Sequence, residues 1–207
     1  MSNSTLISPN QLRKTIRQRR QQLTAPEQVK ASQLLLEQLA QRLLINKVKN
    51  IAIYLSNDGE LETELVIKWC WKQGITTYLP VIHPFSKGHL LFLHYHQDSV
   101  MQTNKYGILE PKLNIQNIIP AQNLDIIFTP LVAFDTKGNR IGMGGGFYDR
   151  TLAKWYQDYR TNPHATPRPI GIAHDCQKVE DIPTQSWDIP LPEIITPTQH
   201  FTFSLHK

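Results

Sequence analysis

The sequence predicts a layered α/β fold with a mostly parallel sheet. After residue 50, short runs rich in β-branched and apolar residues alternate with helical segments, as strands and crossover helices do in such folds. One run, residues 124–128, is almost continuously apolar, which is typical of a parallel strand buried on both faces. From the length of 207 residues we expect a single domain, 1–207, made of a basic helical segment, 1–50, and an α/β body, 51–207.

Two capping motifs open the N-terminal helices. In Ser8-Pro9-Asn10-Gln11, serine suits the N-cap, proline the first helical position and glutamine the third, which predicts a helix to about Gln22. Thr24-Ala25-Pro26-Glu27 repeats the motif and predicts a second helix to about Leu44. Within the second helix, a stripe of leucines at i, i+4 and i+8 is expected to face the core: Leu35, Leu39 and Leu43.

The α/β body begins with a predicted β-α-β unit, made of strand 51–55, helix 62–73 and strand 75–82. Gly74 suits the position that closes this helix. Further along the chain, the pattern predicts strands at 90–95, 124–128, 170–173, 193–196 and 201–203, a helix at 147–159 and a loop at 161–169.

The composition excludes several classes of protein. With 40% hydrophobic and 19% charged residues, the chain is expected to be neither disordered nor collagen-like. Cys70 and Cys176 lie far apart and outside any metal-binding spacing, so we expect reduced thiols and a cytoplasmic location. The sequence has neither a secretory signal nor an apolar run of membrane-spanning length, so no membrane partner is expected.

The formal net charge of +5 is concentrated in the N-terminal segment. Residues 1–50 carry nine Lys or Arg against Glu27 and Glu37, whereas residues 51–207 carry 13 against 15 acidic residues. Such a basic segment suggests a polyanionic partner, either a nucleotide or a nucleic acid. Most of its helical cations are expected on a solvated face: Lys14, Arg17, Arg19 and Arg20.

The densest signal for chemistry is the segment from Asp135 to Arg150, which contains the glycines of 142–146. It lies between a predicted buried strand and a predicted helix, at the carboxyl edge of the sheet where open α/β folds bind ligands. Glycines there let consecutive backbone N–H groups point at an anion, and the helix N-terminus adds its positive dipole. A plain structural turn is the alternative, but Arg140 and Asp149 beside the glycines favour a phosphate-binding loop. The segment matches neither the Walker A motif nor the full dinucleotide fingerprint.

The stretch 140–150, Arg-Ile-Gly-Met-Gly-Gly-Gly-Phe-Tyr-Asp-Arg, preceded by Thr-Pro-Leu-Val-Ala-Phe-Asp at 129–135, resembles the signature of the 5-formyltetrahydrofolate cyclo-ligase (methenyltetrahydrofolate synthetase) family. The resemblance covers nearly the whole chain. It extends to Leu-Arg-Lys at 12–14, Tyr-Leu-Ser-Asn-Asp-Gly-Glu-Leu-Glu-Thr at 54–63, Tyr-Gly-Ile-Leu-Glu-Pro at 106–111 and Trp-Asp at 187–188. It implies a three-layer, Rossmann-like α/β fold with a mostly parallel sheet flanked by helices.

The resemblance also implies an activity, namely ATP- and Mg²⁺-dependent cyclisation of 5-formyltetrahydrofolate to 5,10-methenyltetrahydrofolate, with release of ADP and phosphate through an iminium phosphate. ATP is then the co-substrate, Mg²⁺ the metal and folate the substrate, and we expect a monomer without nucleic acid or membrane partners. Arg140 and Tyr148 are implied in catalysis, as a charge partner of the phosphates and as a hydroxyl near the transferred group. The residues implied to bind ATP are Arg13, Arg140, Ile141, Gly142, Met143, Gly144, Gly145, Gly146, Phe147 and Tyr148.

Folate and metal contacts are implied in the same way. Asp149 and Asp188 match the family's metal-associated aspartates, although by residue type alone each could be an ordinary helix-start or loop carboxylate. The family usually carries a lysine four residues before the arginine that matches Arg13, and Pro9 stands there in this chain. The residues implied to contact folate are Leu55, Glu60, Tyr106, Met143, Gly144, Gly145, Gly146 and Phe147.

Two other functions stay open from the residues alone. A sugar-phosphate isomerase-like enzyme would also use a glycine-rich anion loop in an α/β fold. An RNA-binding module would use the basic N-terminal helix, but no aromatic residue for base stacking lies between Arg13 and Arg20.

Overall fold

A computed structural model describes residues 8–205, with helices on both faces of a central sheet. Within this part of the chain, no helix combines the length and the apolar character needed to cross a membrane. The helices are α1, Pro9–Gln21; α2, Ala25–Ile45; α3, Glu64–Lys72; and α4, Phe147–Tyr159. The strands are β1, Asn50–Ala52; β2, Thr76–Ile82; β3, Leu90–Tyr95; β4, Met101–Thr103; β5, Leu109–Pro111; β6, Ile118–Ile119; β7, Ile126–Pro130; β8, Ala133–Phe134; β9, Arg140–Ile141; β10, Arg168–Ile172; β11, Glu193–Ile195; and β12, His200–Thr202.

The central sheet has eight strands in the order β12-β11-β10-β7-β1-β2-β3-β6. The five strands from β11 to β2 run parallel, while β12, β3 and β6 join antiparallel at the two sides. The predicted mostly parallel sheet and the β1-α3-β2 unit are therefore confirmed. From β1 the chain adds β2 on one side and β7, β10 and β11 on the other, so the strand order reverses between β1 and β7. Open α/β folds bind ligands outside the carboxyl ends of strands at such a switch point.

Alternating side chains of the central strands fill two hydrophobic cores, one on each face of the sheet. Ile51 packs with α2 and α3 on one face, and its neighbour Ala52 packs with α4 on the other. The predicted leucine stripe of α2 is confirmed, because Leu35, Leu39 and Leu43 are each no more than 1% exposed. These two cores hold the three layers together, since burial of apolar surface is the main favourable term in folding.

Both predicted starts of the N-terminal helices are confirmed. The Ser8 hydroxyl accepts a hydrogen bond from the Gln11 N–H at 3.3 Å. The Glu27 carboxylate accepts from the N–H and the hydroxyl of Thr24, at 2.7 Å each. These contacts satisfy donors that a helix start otherwise leaves unpaired. The buried face of α1 then packs against the hairpin of β8 and β9, which places this helix beside the glycine-rich segment.

Some elements differ from the prediction. The β4–β5 and β8–β9 hairpins are absent from it, because strands of two or three residues carry too little periodic pattern. The sequence predicts a loop over 161–169, but Arg168 and Pro169 already pair with β7 as the start of β10. The predicted strand 51–55 ends earlier, at Ala52, although the Ile53 N–H still donates to the Tyr78 carbonyl oxygen of β2 at 2.9 Å.

Candidate active site

A glycine-rich loop, residues 142–146, connects β9 to α4. Because the β8–β9 hairpin follows β7, the loop lies at the carboxyl end of that strand. Gly144 has φ +95°, and Gly146, the N-cap of α4, has φ +64°. Both values lie in the left-handed region, where a Cβ is disfavoured, so the path of the loop requires glycine at these two positions.

Two arginines each fix one carbonyl group of the glycine loop. Arg13 Nε donates to the Gly142 carbonyl oxygen at 2.7 Å, and Arg150 Nη1 donates to the Gly145 carbonyl oxygen at 2.7 Å. Among residues 8–205, no protein group accepts a hydrogen bond from the backbone N–H groups of residues 142–146. Free backbone donors beside the positive end of a helix are the usual elements of an anion-binding site.

Arg140 is a buried cation directly before the loop, only 7% exposed. Its Nη2 lies 2.7 Å from Asp149 Oδ1, and the same oxygen accepts from the Ile189 N–H at 3.2 Å. Burial lowers the pKa of Arg140, while the charges of Asp149 and Asp188 oppose that change. Arg140 Nε is buried and has no hydrogen-bond partner within the described chain, so this guanidinium retains a desolvated donor.

The carboxylates of Asp149 and Asp188 both act on Arg140. Asp188 Oδ2 accepts from the Gln185 N–H at 2.8 Å, which orders the loop before it. No cluster of three or more His, Cys, Asp or Glu side chains suited to a metal occurs between residues 8 and 205. Protein-bound Mg²⁺ often takes only one or two carboxylates together with phosphate oxygens and water. Two carboxylates beside an anion loop therefore fit Mg²⁺ bound in company with a phosphate.

The turn after β1 carries Glu60. Asp58 and Gly59 have left-handed φ values of +52° and +73°, so the chain reverses sharply before this residue. Glu60 Oε2 accepts from the Asn57 N–H at 3.1 Å. Burial raises the pKa of Glu60 to about 7, against the opposing effect of the Arg20 cation. The turn therefore presents a carboxyl group that changes its charge near neutral pH.

Tyr148, in the first turn of α4, joins this turn to the glycine loop electrostatically. Burial and the Glu60 carboxylate raise the pKa of its hydroxyl, while the Arg140 cation lowers it. Leu55, in the segment between β1 and Glu60, packs half-buried against the core. The structure thus brings residues from α1, the turn after β1, β9 and α4 to one edge of the sheet.

The prediction that Arg17 and Arg20 lie on a solvated face is wrong. Arg20 is 0% exposed, and its Nε and Nη2 donate to the carbonyl oxygen and Oδ2 of Asp58, at 2.8 Å each. Arg17 is partly exposed, and its Nε lies 2.7 Å from the same Asp58 Oδ2. The physical reason is the Asp58 turn, which folds onto α1 and supplies the acceptors that a buried guanidinium needs.

The spacing of the buried residues along α1 indicates that Arg20 is buried. Leu12, Ile16 and Arg20 recur at four-residue intervals, lie on one face of the helix and are all buried. Lys14 and Arg19, off that face, are exposed as predicted. A cation that continues an apolar stripe therefore indicates a buried acidic partner elsewhere in the chain.

Tyr106 lies in the turn of the β4–β5 hairpin and is 57% exposed. The Lys105 ammonium lies 5.2 Å from the centroid of its ring. No contact in the described structure joins Tyr106 to the glycine loop or to Glu60. Its implied contact with folate stays a prediction, as do the ligand contacts of the other site residues.

Comparison with known proteins shows that the chain is similar to the members of one family. Residues 7–197 match the 5-formyltetrahydrofolate cyclo-ligase family. A 5-formyltetrahydrofolate cyclo-ligase of Haemophilus influenzae is 49% identical over 185 residues, which cover 89% of this chain and 95% of the relative. One from Escherichia coli is 48% identical over 188 residues, covering 89% of this chain and 97% of the relative. The NMR structure of Aquifex aeolicus 5,10-methenyltetrahydrofolate synthetase superposes with a TM-score of 0.78 at 25% identity, covering 96% of this chain and 94% of that one.

Proposed function

The chain belongs to the 5-formyltetrahydrofolate cyclo-ligase family and is an enzyme of that kind, and we propose that it cyclises 5-formyltetrahydrofolate to 5,10-methenyltetrahydrofolate with ATP and Mg²⁺, releasing ADP and phosphate. The observation that carries the ATP dependence is the glycine loop. Within residues 8–205 no protein group accepts from its backbone N–H groups, while two arginines each hold one of its carbonyls. That arrangement suits the phosphates of a nucleotide.

The reaction needs activation because a formyl oxygen is a poor leaving group. In the proposed first step, this oxygen attacks the γ-phosphorus of ATP, the bond to ADP breaks, and an iminium phosphate forms at N5. N10 then attacks the iminium carbon and closes the ring. Phosphate leaves with the electrons of its carbon–oxygen bond, and N10 gives up its proton. Phosphoryl transfer is catalysed mainly by positioning and by neutralising charge, so donors and cations matter more than a nucleophilic triad.

Arg13, Arg140 and Tyr148 are the proposed side-chain partners of the phosphates. Arg13 uses Nε for Gly142 and Nη1 for Asn10, which leaves Nη2 beside the loop. Arg140 lies buried before the loop, where a cation acts on bound charge with little screening by water. A tyrosine hydroxyl is protonated at neutral pH, and burial raises the pKa of Tyr148 further, so it can donate a hydrogen bond near the transferred group.

Asp149 and Asp188 are the proposed Mg²⁺ ligands. Asp149 Oδ1 already accepts from Arg140 and from the Ile189 N–H, whereas Oδ2 has no protein partner in the described chain. Mg²⁺, when bound, would neutralise charge on the phosphate oxygens. Arg140 orients the Asp149 carboxylate, so one oxygen serves the protein and the other is free for the metal.

Folate is proposed to contact the turn after β1. The Glu60 carboxylate would accept hydrogen bonds from the N–H donors of the pterin, and the half-buried Leu55 would pack against its ring. Met143 is exposed in the glycine loop and would contact folate where folate lies next to ATP. Tyr106 is proposed to supply an aromatic surface, which requires folate to reach the turn of the β4–β5 hairpin.

Residues 1–50 and 51–207 are proposed to form one domain that acts as a monomer. Arg13 and Arg20 of the N-terminal segment donate hydrogen bonds to Gly142 and Asp58 of the body, so the candidate site needs both parts. Light scattering coupled to size exclusion should give the mass of one chain, and the mass of a dimer would contradict the monomer. The cytoplasmic location expected from the sequence stays a prediction.

A direct assay tests the proposal. Purified protein with 5-formyltetrahydrofolate should form methenyltetrahydrofolate only when ATP and Mg²⁺ are both present, and product without ATP, or none with both, would refute it. Thermal unfolding distinguishes a sugar-phosphate enzyme. ATP should raise the melting temperature, whereas protection by sugar phosphates and none by ATP would favour that alternative.

A further inference from the structure

We propose that Arg20 is a positioning residue for Glu60, one that holds the turn 57–60 in the orientation in which Glu60 receives folate without itself touching the substrate. The inference rests on the proposed contact between Glu60 and folate. It assigns a role to a side chain of α1 that lies outside the glycine loop and its cations.

Arg20 contacts the segments that follow two neighbouring strands, β1 and β7. On the side of β1, its Nε and Nη2 donate to the carbonyl oxygen and Oδ2 of Asp58, at 2.8 Å each. On the side of β7, its Nη1 lies 3.5 Å from the Leu131 carbonyl oxygen. The same Nη1 is 3.9 Å from Glu60 Oε1. One rigid guanidinium therefore ties the folate turn to the segment that leads into the glycine loop.

The turn itself depends on these contacts. Asp58 is a non-glycine residue at φ +52°, a left-handed conformation that aspartate tolerates and that the surrounding contacts stabilise. Three side chains of α1 reach its carboxylate, namely those of Arg17, Arg20 and Gln21. At Gly59, a Cβ would lie 3.3 Å from the Arg20 carbonyl oxygen, so the turn packs directly on the helix backbone.

Arg20 is also the cation that opposes the effect of burial on Glu60. Burial raises the pKa of Glu60 to about 7, and the Arg20 guanidinium lowers it. His174 is not a second cation beside Glu60, because burial and the Arg20 charge lower its pKa to about 4 and leave it neutral at neutral pH. The titratable and charged groups that face Glu60 are Arg20 from α1, Asp58 from its own turn, Tyr54 after β1, Tyr148 from α4 and His174 after β10.

Two substitutions of Arg20 test the inference, with Arg19→Met as the exposed control on the same helix. Arg20→Met should raise the KM for 5-formyltetrahydrofolate about ten- to a hundredfold, because a charged hydrogen bond is worth that much. The KM for ATP and kcat should change by less than about threefold. The protonation midpoint of the Glu60 carboxyl, followed by NMR in the free enzyme, should rise by about one to three pH units.

Arg20→Lys keeps the charge but lacks the fork that spans Asp58 and Leu131. It should leave the Glu60 midpoint near the wild-type value and still raise the folate KM severalfold. This variant also decides the matter should Arg20→Met fail to fold. Wild-type folate KM in a folded Arg20→Lys protein, or equal losses in folate KM, ATP KM and kcat, would overturn the inference.

The two proposals fail in distinguishable ways. Unchanged folate KM in Glu60→Gln would refute the contact between Glu60 and folate. The Glu60 midpoint in Arg20→Met reports the coupling between these two side chains whether or not folate binds there, and an unchanged midpoint would overturn the role of Arg20.

Discussion

Replacing Glu60 by glutamine is expected to stabilise the protein above neutral pH and to weaken folate binding. The Glu60 side chain is largely buried, and its nearest cation, Arg20 Nη1, lies 3.9 Å away. At that distance the cation offsets only part of the cost of burying a carboxylate, which is why the pKa of Glu60 rises to about 7. Glutamine has nearly the same shape and stays neutral, so it removes that cost.

The size of the stabilisation follows from the linkage between folding and proton binding at Glu60. The difference between the folded pKa of about 7 and the ordinary value of 4.5, at about 1.4 kcal/mol per pH unit, corresponds to about 3 kcal/mol. Because the folded state holds the proton more tightly than the unfolded state, this cost is absent below pH 4.5. It grows as the pH rises from 4.5 to 7 and is constant above 7. The advantage of Glu60→Gln should therefore widen by about 2 kcal/mol between about pH 5 and pH 8.

Urea unfolding of the wild type and of Glu60→Gln at these two pH values measures the difference. Glu62→Gln is the matched control, because Glu62 is an exposed carboxylate two residues further along. The control should show no such change with pH. An advantage of Glu60→Gln that is the same at both pH values would refute the reasoning. In the assay, Glu60→Gln should raise the folate KM about tenfold and leave the ATP KM unchanged.

The glycine loop and its neighbours give further tests. Arg13→Gln should raise the KM for ATP about tenfold, because it releases the loop and removes a cation. Lys14→Gln, at an exposed position, should leave this KM unchanged. Equal effects of the two substitutions would contradict the role of Arg13 in binding ATP. Gly144→Ala should lower kcat/KM at least about tenfold because alanine is strained at φ +95°. Gly142→Ala should be tolerated, because no described atom outside the neighbouring residues lies within 4 Å of the added methyl group. Equal losses of kcat/KM in Gly142→Ala and Gly144→Ala would contradict the requirement for glycine at position 144. Asp149→Asn should reduce kcat on the order of a hundredfold and weaken the activation of the enzyme in a Mg²⁺ titration. If the activity of this variant depends on Mg²⁺ as in the wild type, Asp149 is not a metal ligand.

Long periodic elements could be predicted from the sequence. The predicted helix 147–159 coincides with α4 and the predicted strand 90–95 with β3. Both are long enough for their apolar periodicity and their end signals to agree. The short hairpins, such as β8–β9, could not be predicted, because two residues define no period. Their pairing is determined by the strands and the helix that they pack against.

Within the candidate site, too, some features could be predicted from the sequence and others could not. The glycine loop could be predicted because its chemistry is local, with glycines, a strand before them and a helix start after them. The contact of Arg20 with Asp58 could not, since it joins residues 38 positions apart in the sequence. A lone arginine in a basic helix is usually solvated, and only the position of Arg20 on the stripe with Leu12 and Ile16 indicates otherwise.

The positive charge of the N-terminal segment has two different fates in the folded protein. Arg17 and Arg20 both pair with the single carboxylate of Asp58, which compensates one of their two charges and so reduces the field that an external polyanion would meet. Arg13 instead contacts the neutral Gly142 carbonyl, and no carboxylate of the described chain pairs with it, so its positive charge lies beside the N–H groups of the glycine loop. Because the same helix delivers both, a change in how α1 packs would alter the phosphate site and the folate turn together. We therefore expect a change in the packing of α1 to affect both proposed substrate sites, since Arg13 and Arg20 lie two turns apart on this one helix.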